Sequence, residues 1–252
     1  MERKIAMITG ATSGIGKACA LILAKNGYHI IATGRRAARL DELKKEVPSG
    51  IEVLPLVFDV RDKEAVFGLI ENLPENWKNI EILVNNAGNA HGLDPIQSGS
   101  LDDWDAMMDI NVKGLLYVSK AVIPGMCERK SGTIINIGSI AGKEVYPNGN
   151  VYCGSKHAVD AITKGMRLDL NPFGIKVIGI HPGLVETEFS VVRFKGDEDR
   201  AEKVYQGFEP LVAQDIAEIV EFCVNRPSHV VLADIVVLPT AQASSTLVNK
   251  KL

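Results

Sequence analysis

Cysteine is scarce: the 252 residues include only Cys19, Cys127, Cys153 and Cys223, and no two of them form a CxxC pair. A disulfide framework and a structural zinc site are thereby excluded, and the four read as reduced thiols filling apolar space in a reducing compartment. No base stands beside Cys153 to make it a nucleophile. The histidines, His29, His91, His157, His181 and His229, show neither HExxH nor any other ligand spacing, so no metal site is expected. No apolar run approaches the roughly 18 residues that would span a bilayer, and residues 1–9 lack the apolar stretch of a signal peptide. No membrane association and a cytoplasmic location are the expectation. Charge of one sign is also missing: 28 basic residues face 31 acidic ones, a net charge of −3. No broad basic surface for nucleic acid or anionic lipid follows, and the implied partner is a small molecule.

What is present is an alternation of two periods. Short β-branched or apolar runs occupy 4–9, 28–33, 52–57, 82–85, 133–137, 176–180 and 235–238. Between them, 15–26, 36–46, 62–72, 102–128, 152–171 and 214–225 carry apolar side chains at helical spacing, with Asp62 and Ser100 placed as N-caps. Strand alternating with helix requires right-handed crossovers, which predicts an α/β, Rossmann-type doubly wound parallel sheet of about seven strands with helices on both faces. No repeat, low-complexity tract or linker divides it, so residues 1–252 read as a single domain. The irregular, charged interval 184–213 follows the sixth strand, where an insertion overhangs the ligand side of such a sheet, and it reads as a substrate lid.

The first predicted strand runs into Thr9-Gly10-Ala11-Thr12-Ser13-Gly14-Ile15-Gly16, and a helix follows at once. Glycines there allow a tight turn and close approach of a pyrophosphate, whose charge meets the free amides of the helix N-terminus. The spacing does not suit an NTPase phosphate loop, because five residues separate Gly10 from Gly16 and Ala18 follows Lys17. At the end of the second strand, where an NAD-binding fold places an acidic residue on the ribose hydroxyls, stand Arg35 and Arg36. Guanidinium groups fork onto a 2′-phosphate, so the cofactor is expected to be NADP. Asp59, followed by Val60 past the third strand, is placed to accept from an adenine amino group. The small residues of Asn86-Ala87-Gly88 after the fourth let backbone line the adenosine side.

The fifth strand ends at Ile137-Gly138-Ser139, and Tyr152 and Lys156 follow four residues apart on a predicted helix. That spacing puts them on one face. A phenol with an ordinary pKa of about 10 is a poor base near neutrality; a neighbouring ammonium is expected to lower that value and make Tyr152 a working acid and base.

The set TGxxxGxG, NNAG, Ser, YxxxK and PG, spread over nearly the whole chain, resembles the short-chain dehydrogenase/reductase family. By that resemblance Ser139 holds the substrate oxygen, Tyr152 transfers a proton, and Lys156 tunes the tyrosine and binds the nicotinamide ribose. Asn111 matches the asparagine that anchors a water leading to the lysine, and Pro182-Gly183-Leu184-Val185 with Thr187 matches the segment lying against the nicotinamide. Within the family, residues 187–197 and Ala241-Gln242-Ala243-Ser244 resemble the NADP-dependent 3-hydroxy acid dehydrogenases, a group that includes serine and allo-threonine dehydrogenases and malonic semialdehyde reductases. The implied reaction moves a hydride between C3 of a short 3-hydroxy acid and NADP. A cation is then needed for the carboxylate, and the lid offers Arg193, ahead of Lys195. The resemblance also implies a homotetramer that pairs the helices at about 102–128 and 152–171. Two alternatives stand beside this reading: a carbonyl reductase of larger ketones, and a regulator that senses NADP without chemistry.

Overall fold

The structure, a computed structural model, describes residues 3–251. In chain order the sheet and its helices are β1 (Ile5–Ile8), α1 (Gly14–Lys25), β2 (His29–Gly34), α2 (Ala37–Glu46), β3 (Val53–Val57), α3 (Lys63–Glu71) and β4 (Ile80–Asn85). The second half continues with α4 (Leu101–Met108), α5 (Leu115–Arg129), β5 (Thr133–Ile137), α6 (Asn150–Leu170) and β6 (Lys176–Pro182). The segment read from the sequence as a lid follows, made of β7 (Val185–Glu186), α7 (Phe189–Arg193), α8 (Glu198–Tyr205) and β8 (Leu211–Val212), and then α9 (Ala213–Val224) and β9 (Asp234–Val237).

Seven strands pair in the order β3-β2-β1-β4-β5-β6-β9, every ladder parallel. All four residues of β1 are buried, as expected of a parallel strand covered on both faces, where an apolar run replaces alternation. One core packs Leu23 of α1, Leu40 of α2 and Val220 of α9 on Ile8 and Ile180. The other packs Val66 of α3, Val118 of α5 and Leu170 of α6 on Met7, Ile134 and Val177. Burial of each such side chain contributes roughly 1.5–3 kcal/mol. Connections leave β1 toward β2 on one side, while β4 pairs with β1 on the other, and the carboxyl ends of β1 and β4 therefore flank a crevice.

Two local features depart from the sequence reading. Residues 102–128 are not one helix: a π-helical stretch, Asp109–Gly114, separates α4 from α5. Its cause is Asn111, whose side chain donates to the Asn89 carbonyl at 2.8 Å, accepts from the Asn89 amide at 2.9 Å and donates to Ser155 Oγ at 3.0 Å. Those contacts tie the turn to the Asn89 backbone and to α6. Nor is the lid irregular. A parallel pair, β7 with β8, closes its base, and Tyr205 Oη bonds both Ser190 Oγ at 2.7 Å and the Val185 carbonyl at 2.9 Å. Asp62 and Ser100 cap α3 and α4 as expected. Among the described residues no helix is long and apolar enough to cross a membrane.

Candidate active site

A cleft of about 530 Å³ lies beyond the carboxyl ends of the strands, within the size range of small-molecule sites. Its floor is the turn between β1 and α1. Gly10 has φ +68°, a left-handed conformation that side chains resist. Gly16 lies behind the cleft wall, but it sets the turn's closeness: a Cβ on it would fall 2.3 Å from the Gly10 carbonyl oxygen and 2.4 Å from Asn86 Nδ2. Asn86 is itself fixed, donating to the Thr9 carbonyl at 2.9 Å. No side chain caps α1 at Ser13, so the first-turn amides of the helix point at the floor, where Thr12, Ser13, Gly14 and Ile15 line the space. Backbone this close, with open donors, fits a pyrophosphate.

At one end of the cleft stand Arg35, Arg36, Asp59 and Val60. Arg36 donates through Nε and Nη2 to Thr12 Oγ1, at 3.1 and 2.7 Å, and through Nη2 to Ser13 Oγ at 2.7 Å. Arg35 lies 3.6 Å from Asp59, whose carboxylate is held mainly by Arg61 at 2.8 Å. Burial disfavours that carboxylate, yet the bonds from Arg61 and the charge of Arg35 hold its pKa below the usual range. Ala87 and Gly88 continue the wall toward the centre. A Cβ on Gly88 would fall 3.0 Å from Asn111 Oδ1 and 3.5 Å from Lys156 Nζ. Asn111 thus sits one layer behind the cleft, beside the lysine.

The centre holds Ser139, Tyr152 and Lys156. α6 presents Tyr152 and Lys156 on its buried face, 8% and 7% exposed. Lys156 Nζ donates to the Ile137 carbonyl at the end of β5, at 3.0 Å. Burial lowers its pKa to about 8. Burial also raises the Tyr152 phenol above its ordinary value; a hydrogen bond from Ser139 and the charge of Arg193 oppose this and do not reverse it. The expected net lowering is not what the structure gives: removing the phenolate from water outweighs the Ser139 hydrogen bond and the charge of Arg193. Cys153 is likewise pushed up by burial, leaving a thiol rather than a nucleophile.

Beside this centre lies the segment from Pro182 to Arg193. Pro182, Gly183, Val185 and Thr187 line the cleft, and Gln242 Oε1 accepts from the Leu184 amide at 2.8 Å. Phe189 covers the Tyr152 ring, centroids 5.7 Å apart. Arg193 is tied by Nε to the Gly92 carbonyl at 3.2 Å and by Nη2 to Tyr146 Oη at 3.1 Å, with its guanidinium carbon 5.5 Å from the centre of the Tyr152 ring. Lys195 points elsewhere, pairing with Asp103 at 2.9 Å on the surface.

Away from the cleft, Asp160, His181 and Asp234 converge from α6, β6 and β9 closely enough to hold a metal ion. The Lys143 ammonium already bridges the two carboxylates, at 2.7 Å from each. Sequence reasoning assigned no site role to Arg61, Tyr146 or Glu188, and quoted Gln242 only within the tail resemblance; Arg39 also joins the site's periphery, pairing with Glu188 at 2.6 Å. Tyr146 meets Arg193, Glu188 meets Arg36 and Gln242 meets Leu184 across about 50 to 150 positions, so no local signal marked those pairings, whereas Arg61 bonds Asp59 only two positions away.

A glycine cradle, two arginines at one end of the cleft, and Ser139 beside the buried Tyr152 and Lys156 on one doubly wound sheet define a dinucleotide-dependent dehydrogenase. Residues 4–198 match the short chain dehydrogenase family, and the chain belongs to it. It is 44% identical over 244 residues to the NADP-dependent 3-hydroxy acid dehydrogenase YdfG of Escherichia coli K12, covering 96% of this chain and 98% of that one. Identity to the NADP-dependent 3-hydroxy acid dehydrogenase of Schizosaccharomyces pombe is 42% over 254 residues, covering 100% and 98%. Among solved structures, the closed form of serine dehydrogenase complexed with NADP+ superposes with a TM-score of 0.92 at 44% identity, covering 96% of this chain and 98% of that one.

Proposed function

We propose that this enzyme is an NADP-dependent oxidoreductase acting on the CH–OH group of a short 3-hydroxy acid of the serine, allo-threonine or 3-hydroxypropionate type. One observation carries the substrate assignment: within a single cleft, Arg193 brings a guanidinium to the face of the tyrosine that handles the proton. When bound, NADP supplies the hydride acceptor at C4 of its nicotinamide. The turn at Gly10–Gly16 holds the pyrophosphate, Arg35 and Arg36 meet the 2′-phosphate, and Asp59 and Val60 border the adenine. Pro182, Gly183, Val185 and Thr187 bracket the nicotinamide, with Gln242 keeping that segment in register. Ser139 holds the substrate oxygen; Tyr152 takes the hydroxyl proton in oxidation and returns it in reduction. Lys156 binds the ribose and, backed by Asn111, connects the phenol to the proton supply. Burial favours the neutral phenol, the form that donates in reduction.

The NADP-dependent 3-hydroxy acid dehydrogenases among the relatives support this reading. Leu93, Phe189 and Val192 in the same cleft favour a second, a reductase of larger neutral ketones. Arg193→Ala separates them. A charge-assisted contact of about 1.5–3 kcal/mol converts to roughly tenfold to a hundredfold in kcat/KM. Loss of that size on L-serine or 3-hydroxypropionate, with a neutral secondary alcohol nearly unaffected, is the expected result. Equal losses on both mean only that the lid was disturbed. Preference of the unmodified enzyme for bulky ketones over every hydroxy acid refutes the assignment. A homotetramer in the cytoplasm is the assembly and location we propose with it.

A further inference from the structure

Glu188, the residue after Thr187 at the start of the lid, is the acid that pairs with Arg36, as Asp59 is the acid that pairs with Arg35 and Arg61. Its Oε2 accepts from Arg36 Nη1 at 2.9 Å and its Oε1 from Arg39 Nη1 at 2.6 Å. Burial works against its charge, but the hydrogen bonds from the two arginines outweigh it and hold the carboxyl below its ordinary range. Glu188 lines the same cleft as Arg36, Thr12 and Ser13.

Arg36 has almost no donor to spare. A guanidinium carries five N–H groups. Arg36 directs Nε–H at Thr12, both Nη2 hydrogens at Thr12 and Ser13, and one Nη1 hydrogen at Glu188. One remains. A phosphate meeting this side chain through a two-pronged fork must therefore share an edge with a hydroxyl or with the carboxylate, and a phosphate monoester carrying −1.5 to −2 charges is repelled by the latter. A ribose bearing only hydroxyls meets no such repulsion.

We propose that Glu188 is a specificity-determining residue for the cofactor: its carboxylate shares Arg36 with the 2′-phosphate of NADP and limits how strongly the enzyme prefers the phosphorylated dinucleotide. The inference rests on the reading that Arg36 meets that phosphate. Because Glu188 stands between β7 and α7, at the N-cap of α7, the shared arginine also joins the lid to the cofactor end of the cleft, so an entering phosphate loosens the lid's hold on α2.

The test is a fluorescence titration of NADPH and NADH against the full-length enzyme and its Glu188→Gln and Arg36→Ala variants, with circular dichroism confirming folding. Exposed charge pairs are worth up to about fivefold in an equilibrium constant. Glu188→Gln is expected to tighten NADPH by about threefold to fivefold and leave NADH within about twofold, the gain shrinking at high salt. Equal weakening of both cofactors overturns the proposal in favour of a simple lid strap, and an unchanged ratio overturns it outright. Arg36→Ala distinguishes the failures: if it leaves the preference for NADPH intact, the assignment of Arg36 itself falls. If it abolishes the preference while Glu188→Gln changes nothing, only the role of Glu188 falls.

Discussion

Replacing Gly16 by alanine adds one methyl group where the structure has no room for it. The new Cβ falls 2.3 Å from the Gly10 carbonyl oxygen, 2.4 Å from Asn86 Nδ2 and 2.8 Å from the Gly10 carbonyl carbon. None of these atoms is the free end of a flexible chain, since two are backbone and Asn86 Nδ2 is bonded to the Thr9 carbonyl at 2.9 Å and the Gly10 carbonyl at 3.3 Å. Overpacking of this kind costs about 1–3 kcal/mol, against a gain of up to about 1 kcal/mol for alanine over glycine inside a helix. With the full alanine gain the net is about 0–2 kcal/mol of destabilisation, a fall in Tm of up to roughly 8 °C for a domain of this size. The larger effect falls on the site, because relief of the clash moves the Gly10 turn away from α1, and NADPH binding should weaken at least about tenfold. Gly68 is the internal control. It lies exposed in α3 with nothing within 4 Å of its added Cβ, so Gly68→Ala should raise stability by about 0.5–1 kcal/mol and leave NADPH binding untouched. Thermal unfolding and fluorescence titration of both variants measure the two quantities. A Gly16→Ala enzyme that binds NADPH within twofold of the parent and melts at the same temperature refutes the close-approach reasoning.

Tyr152→Phe keeps the ring packed on Phe189 and removes only the proton carrier; folding and NADPH binding should persist while kcat falls by at least about a hundredfold, and turnover within about tenfold of the parent sinks the mechanism. Burial holds the Tyr152 phenol protonated above its usual pKa, so oxidation, which needs the phenolate, should gain kcat/KM as pH rises through the alkaline range, whereas reduction, which needs the phenol, should not; rate profiles in both directions check the sign, and an oxidation rate that falls with rising pH contradicts it. Sedimentation should find a tetramer at micromolar concentration, dissociated by Leu168→Glu, since α6 leaves Leu168 78% exposed; a stable monomer refutes the assembly.

The sequence by itself determined the alternation of strand and helix, the order of the glycine turn, Ser139, Tyr152 and Lys156 along it, and the presence of arginine where an acid would select NAD. These are local facts: apolar period, turn chemistry and i, i+4 spacing act over a few residues, and parallel crossovers leave little freedom in assembling them. Tertiary structure alone decided the rest. The π-helical turn at Asn111 exists because that side chain finds the Asn89 backbone 22 residues away. Arg193 rather than Lys195 reaches the cleft because the lid folds into a helical pair that aims the first inward and leaves the second beside Asp103. Glu188 meets Arg36 across 152 positions. The protonation of Tyr152 was misjudged from sequence for the same reason: the spacing to Lys156 is visible in the chain, but the exclusion of water that dominates the phenol's pKa is a property of everything packed around it.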